Sequence, residues 1–265
     1  MKDSLHLILE QLAAAPRVLL LYDFDGTLAE LQPHPGQACV PAPVLDWLCE
    51  LAVNPRIVVG IVSGRALDDL RTLFPFPGLI LAANHGNEIR GRGVHFIDPI
   101  ADVAAPQLDS LITQLNAKLP IGEGIWVESK SLTATVHLRG SSKLAAHHAT
   151  SLVHSLVRES QRFTARPGRD AIDIVPNNDW HKGSAVDWIR QEFEFWDAAL
   201  LYAGDDASDE DVFREFPHAI TIRVGDGPTA ARYRAESPME IWALTGMIAA
   251  SLGAVRLPLP VVGLP

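Results

Sequence analysis

Cysteine is almost absent from this chain. Cys39 and Cys49 are the only two in 265 residues, no CxxC pair occurs, and a single pair builds no disulfide framework. Two reduced thiols in a cytoplasmic protein are expected. Long apolar runs are missing too. Arg17-Val-Leu-Leu-Leu-Tyr22 is typical, far short of the roughly 20 residues of a membrane span. Met1-Lys2-Asp3 lacks the charged-then-apolar layout of a signal peptide. There is no repeat at a fixed period, no P-loop, no GxGxxG after a strand and no HExxH. Basic residues are in deficit: 22 Lys and Arg against 32 Asp and Glu give a net charge of −10. That balance argues against a nucleic-acid partner, which needs a basic face. An anionic small molecule stays open, because a bound cation or a few placed Lys and Arg reverse the local field. With 48% hydrophobic and 20% charged residues, the composition is that of a globular protein with ample core.

The first hundred residues alternate buried strands with helical segments. Val18–Tyr22, Arg56–Val62 and Leu79–Ala83 read as strands, and Val44–Val53 and Ala66–Leu73 as helices. Gly91-Arg92-Gly93 reads as a hairpin-type turn. Continuous apolar strands imply a parallel sheet covered on both faces. The middle changes character. Helices are predicted over Val103–Leu119 and Ser141–Glu159, and strands over Ile125–Glu128, Leu132–Leu138, Phe163–Arg166 and Ala171–Val175. The alternating pattern then returns, with a helix over Ser184–Phe193, a strand over Ala198–Ala203, a helix over Asp209–Glu215, a strand over Ala219–Val224 and a short helix over Thr229–Ala235. The expected division is a core of residues 1–102 and 178–265 with an inserted α+β unit over 103–177. The Leu257–Pro265 tail reads as a loose terminus.

Four polar clusters fall at strand C-termini or helix starts: Asp23/Asp25, Ser63, Lys182 and Asp205/Asp206/Asp209. In an open α/β sheet that edge binds ligands. Each cluster alone is weak, but the set suits phosphoryl transfer, where charge neutralisation and in-line positioning matter most. A carboxylate can act as nucleophile, a neighbouring one as general acid and base, and a Ser hydroxyl and a Lys ammonium can hold phosphate oxygens. Mg²⁺ takes carboxylates plus phosphate oxygens and water. His147, His148 and His154 share a predicted helix without carboxylate or thiol partners and read as surface. Trp180 reads as core packing.

Asp23-Phe24-Asp25-Gly26-Thr27-Leu28 resembles the first motif of the haloacid dehalogenase-like phosphatases. Ser63, Lys182 and Gly204-Asp205-Asp206-Ala207-Ser208-Asp209-Glu210 resemble the other three. The resemblance implies a Rossmann-like parallel-sheet α/β core with an inserted α+β (αββαββ) cap domain. It implies catalytic roles for Asp23 as nucleophile and Asp25 as general acid/base, with Ser63 and Lys182 on the phosphate. Asp23, Asp25 (through its backbone carbonyl) and Asp205 would ligate Mg²⁺, with Asp206 or Asp209 in support.

Further segments resemble the trehalose-6-phosphate phosphatase branch: Ser63-Gly64-Arg65, Asn84-His85-Gly86-Asn87-Glu88, Glu128-Ser129-Lys130, Val136-His137-Leu138-Arg139 and Asp173-Ile174-Val175-Pro176 before Lys182-Gly183. This resemblance implies a sugar-phosphate substrate, trehalose 6-phosphate above all. Arg65, His85, Gly86, Glu88, Glu128, Lys130 and Asp173 would be the substrate-binding residues. Asp173 stands where the family usually has Glu, and Asn84 and Asn87 flank His85-Gly86 unusually, which keeps another glycosyl or hexose phosphate, such as glucosylglycerol phosphate, as the alternative. A phosphomutase and a regulatory binder with a disabled site are weaker competitors. The expectation is a cytoplasmic enzyme, monomeric or a small homo-oligomer, with a small-molecule partner and neither a nucleic acid nor a membrane.

Overall fold

The computed structural model describes residues 4–253 other than 123 and 169; the Leu257–Pro265 tail lies outside them. Two sheets organise the described residues. The first takes its parallel strands from both ends of the sequence: β1 (Val18–Tyr22), β2 (Ile57–Val62), β3 (Ile80–Ala83), β10 (Ala199–Gly204), β11 (Ile220–Val224) and β12 (Tyr233–Ala235). The hairpin of β4 (Glu88–Gly91) and β5 (Val94–Ile97) adds an antiparallel edge. The order is β12-β11-β10-β1-β2-β3-β4-β5.

The run Val18-Leu-Leu-Leu-Tyr22 is apolar throughout because both its faces are buried. Val18, Leu20 and Tyr22 pack with α1 (Leu5–Ala14), α2 (Ala42–Ala52), α3 (Leu67–Leu73) and α8 (Pro238–Ile248). Leu19 and Leu21 pack on the opposite face with α6 (Lys182–Glu192) and α7 (Glu210–Glu215). A fully buried large aliphatic side chain contributes roughly 1.5–3 kcal/mol, so these strands are the stable frame on which loops can be placed.

The second sheet is antiparallel, ordered β6-β7-β9-β8. Its strands are β6 (Trp126–Ser129), β7 (Ala134–His137), β8 (Phe163–Gly168) and β9 (Ala171–Pro176). Helices α4 (Pro99–Lys118) and α5 (Lys143–Ser160) cover one face through Leu108, Leu111, Leu115, Val153 and Leu156. This core is separate from those of the first sheet. The Asp98 carboxylate caps α4 by accepting from the Ala101 amide at 2.8 Å, so the expected boundary at residue 103 falls inside a helix.

One expected element is wrong. Thr229–Ala235 is not a helix. Tyr233–Ala235 pairs in parallel with Ile222–Val224, and the Arg232 amide donates to the Thr221 hydroxyl at 3.0 Å. The Ala- and Arg-rich stretch has helical propensity, but an open sheet edge offers more backbone hydrogen bonds than one isolated helical turn. The hairpin turn at Gly91-Arg92-Gly93 was expected and is present, but the β4 and β5 strands it joins, α1 and α8 were not anticipated as elements.

Candidate active site

β1 lies between β10 and β2, so the segments leaving these strands share one edge of the sheet. Asp23 follows β1, Ser63 follows β2 and Asp205 follows β10. After Asp23 the chain folds tightly, the amides of Leu28 and Ala29 both donating to the Phe24 carbonyl at 2.9 Å. Gly26 has φ +82°, and a Cβ there would sit 2.2 Å from the Asp205 carboxylate. Only glycine lets these two acidic loops approach so closely.

Lys182, at the start of α6, is buried and donates from Nζ to Asp23 Oδ1 at 2.7 Å and to Asp209 Oδ1 at 2.8 Å. The Tyr202 hydroxyl donates to the same Asp209 oxygen at 2.6 Å, and the Asp206 amide donates to Asp209 Oδ2 at 2.9 Å. Asp209 therefore fixes Lys182. Burial pushes the Asp23 carboxyl well up, and Asp209 and Asp205 add to this against the Lys182 ammonium. Burial works against the Lys182 ammonium too, but Asp209 and Asp23 outweigh it and raise its pKa.

One carboxylate oxygen from each of Asp23, Asp205 and Asp209 lies within 4.8 Å of the others. Three carboxylates around one ammonium leave a negative balance, and hard oxygen donors suit a divalent cation such as Mg²⁺. Of the two supporting candidates, Asp209 joins this group, while the Asp206 side chain takes part in a capping box with Asp209.

The Asp25 side chain points elsewhere. Arg65 donates from Nε to Asp25 Oδ2 at 2.7 Å and from Nη2 to Asp25 Oδ1 at 2.8 Å. Arg65 also reaches the Pro35 carbonyl at 2.7 Å and lies over the Phe24 ring at 4.7 Å.

A cavity of about 490 Å³ opens from this cluster. Asp23, Asp25, Ser63, Arg65, Lys182 and Asp205 line its floor, Glu128, Thr135, His137 and Asp173 come from the second sheet, and Lys130 comes from the turn between β6 and β7. His137 Nε2 donates to Glu128 Oε2 at 2.7 Å and its ring stacks on Trp126 with centroids 3.9 Å apart. Burial raises the Glu128 carboxyl, but the His137 bond and the Lys130 charge hold it below the usual carboxylate range. Lys130 Nζ donates to the Gly64 carbonyl at 2.8 Å and to Thr135 Oγ1 at 2.9 Å, and that hydroxyl donates to Asp173 Oδ1 at 2.7 Å.

His85 also lines the cavity, in the left-handed region at φ +58°. Among the described residues its buried Nε2 has no hydrogen-bond partner, and it lies 3.9 Å from Asp173 Oδ2. Burial pushes the imidazole down to about 4 despite Asp173, so the ring is neutral at neutral pH. Burial also raises the Asp173 carboxyl, yet Asp173 lies below its ordinary range. The His85 ring, Lys130, the Thr135 hydroxyl and His137 counter that burial.

Gly86 and Glu88 are absent from the cavity lining. A Cβ on Gly86 would sit 2.4 Å from that of Ala185, so Gly86 packs against α6. Glu88 faces Arg90 at 3.4 Å and accepts from Ser131 Oγ at 3.4 Å. Trp180 stacks on Phe96 and donates from Nε1 to the Gly86 carbonyl at 2.8 Å, a packing role as expected. Sequence reasoning missed Tyr202, a hydroxyl in an otherwise apolar strand two residues before Gly204, and Thr135, whose partners only the fold brings together.

The family model for trehalose-phosphatase matches residues 21–239. The chain belongs to the trehalose-phosphatase family. Trehalose-phosphate phosphatase of Mycobacterium ulcerans is 33% identical over 251 residues, 91% of this chain but 63% of the relative. This chain therefore spans less than two thirds of that relative's length. Trehalose-6-phosphate phosphatase of Escherichia coli is 30% identical over 248 residues, covering 89% of this chain and 88% of the relative. The fold is that of solved trehalose-phosphatase structures. The C-terminal domain of the Candida albicans trehalose-6-phosphate phosphatase superposes with TM-score 0.79 at 20% identity, over 93% of this chain and 96% of that one. A trehalose-6-phosphate phosphatase related protein gives 0.78 at 23% identity, over 88% and 97%. The haloacid dehalogenase-like α/β class expected from the motifs is the class observed. Among the described residues of this trehalose-phosphatase family member, no helix is long and apolar enough to cross a membrane.

Proposed function

We propose that this chain is a cytoplasmic, Mg²⁺-dependent phosphatase that hydrolyses trehalose 6-phosphate to trehalose and phosphate. The observation that carries the reading is the single cavity joining Asp23, Lys182 and Asp205 on one side to Glu128, Lys130 and Asp173 on the other. Its about 490 Å³ suits a small molecule rather than a macromolecule. The two family relatives cited above carry trehalose-phosphate names. The second sheet with α4 and α5 forms the cap in this reading, and the first sheet with its helices the catalytic core.

Asp23, Asp205 and the Asp25 backbone carbonyl would hold Mg²⁺, with Asp209 close by. When bound, the ion supplies positive charge that keeps Asp23 ionised and draws in the phosphate. Asp23 Oδ attacks phosphorus, an O–P bond forms, and the bond to the sugar oxygen breaks. The leaving oxygen takes a proton from Asp25, whose side chain exchanges Arg65 for the ester to do so. Water then attacks the aspartyl-phosphate, gives its proton to Asp25, and phosphate leaves with Asp23 restored. Ser63 and Lys182 hold the non-reacting phosphate oxygens. Glu128, Lys130 and Asp173 read the sugar hydroxyls, and closure of the cap excludes water.

A phosphate-release screen over sugar phosphates, with and without Mg²⁺, tests this. Trehalose 6-phosphate should be the best substrate and chelation should abolish turnover. A better hexose or glycosyl phosphate substrate overturns the narrow reading. Isomerised sugar phosphate in place of free phosphate points to a mutase.

A further inference from the structure

Asn84 is fully buried, sits at φ +51°, and takes no place in the cavity lining. Its amide spans the two sheets. Nδ2 donates to Ser131 Oγ at 2.9 Å, and Oδ1 accepts from Thr133 Oγ1 at 3.0 Å. Both hydroxyls lie in the turn joining β6 to β7. Ser131 Oγ passes the bond on to Glu88 Oε2 at 3.4 Å. The same turn carries Lys130, whose Nζ reaches the Gly64 carbonyl beside Ser63. Thr133 is buried at this contact, and the turn is closed on itself by the Lys130 amide donating to the Thr133 carbonyl at 3.0 Å.

We propose that Asn84 is a positioning residue that latches the 130–133 turn to the core and so presents Lys130 to the cavity. An amide fits the task because it donates to one hydroxyl and accepts from another at once, and Asn is among the few residues at ease in the left-handed conformation that aims it there. Glu88 serves the latch through Ser131. Unlatched, the turn leaves the core and Lys130 loses the Gly64 carbonyl, so the conformer competent to bind the sugar becomes a minor one. The consequence for substrate rests on the phosphatase reading above; the latch itself does not.

Thr133→Val removes the hydroxyl at constant shape, and Asn84→Gly removes the amide while tolerating the positive φ. The first readout is hydrogen–deuterium exchange of residues 130–133 in the free protein, expected to speed up in both variants. The second compares trehalose 6-phosphate with p-nitrophenyl phosphate, which has no sugar hydroxyls for Lys130 to read. If the competent fraction drops to about one tenth, KM for the sugar phosphate rises about tenfold while kcat and the aryl ester rate stay within about twofold. The double variant should be no worse than Asn84→Gly alone, because Asn84→Gly already removes the Thr133 bond. Unchanged exchange in both variants, or strictly additive losses, overturns the latch. Wild-type protein inert toward trehalose 6-phosphate overturns the substrate reading alone, and the exchange experiment still decides the latch.

Discussion

Arg65 and Asp25 form a two-point clasp: Nε to Oδ2 at 2.7 Å and Nη2 to Oδ1 at 2.8 Å. Arg65 is itself fixed by the Pro35 carbonyl and the Phe24 ring. The clasp holds the Asp25 carboxylate in one resting orientation, from which, in the proposed mechanism, it turns to the ester as the acid/base group. Lysine cannot reproduce it, because an ammonium lacks the planar fork. Arg65→Lys should lower kcat by about 10- to 100-fold on both a sugar phosphate and a small aryl phosphate, since misplacing an acid/base group affects every substrate. Steady-state kinetics on the two esters checks this; a defect confined to the sugar phosphate would show that Arg65 reads the sugar instead.

Lys182 is held by two buried carboxylates, Asp23 and Asp209. Lys182→Met keeps the aliphatic stem and deletes the charge. It leaves both carboxylates buried and uncompensated, which costs about 3–5 kcal/mol when a buried pair is broken on one side. Urea unfolding in the absence of divalent cation should show that loss together with abolished turnover. Adding Mg²⁺ should restore part of the stability and none of the activity. A variant as stable as wild type without Mg²⁺ contradicts the electrostatic account of the site.

Glu128 faces the cavity from the second sheet, ionised and oriented by His137, which is itself stacked on Trp126. Glu128→Ala should depress kcat/KM for trehalose 6-phosphate by about 100-fold, the scale for a lost charged hydrogen bond, and leave p-nitrophenyl phosphate within about threefold. His137→Phe preserves the stack and removes the bond, so it should reproduce the same selective loss in weaker form. Equal losses on both esters contradict a sugar-reading role.

The strands and the acidic floor were legible in the sequence because each depends on contiguous residues. The apolar run of β1 ends directly at Asp23, and that of β10 ends at Asp205. What sequence could not show is which side chains meet across the two sheets. Glu88 was expected on the substrate; it lies outside the cavity lining and accepts from Ser131, 43 residues away in the chain. Asn84 stood out as unusual, but its purpose depends on two hydroxyls in a distant turn. Likewise Thr229–Ala235 reads as a helix locally, and only β11 makes its last three residues a strand.

His85 gives the protein an acid sensitivity with a definite sign. The folded ring stays neutral until about pH 4, because burial disfavours the imidazolium. Once unfolded, the ring takes its proton near the ordinary value of about 6.5. Between these values the unfolded chain binds a proton that the folded chain does not, so stability falls as pH drops from about 6.5 to about 4 and levels off below. Acidification also titrates carboxylates, so the measurement must be differential. His85→Asn keeps a residue at ease at positive φ and removes the titration. Urea unfolding of both proteins at about pH 7 and about pH 5 should show wild type losing more stability than the variant, by an amount of the order of 1–2 kcal/mol. Parallel losses would place the His85 ring in contact with water and refute its neutral, buried state.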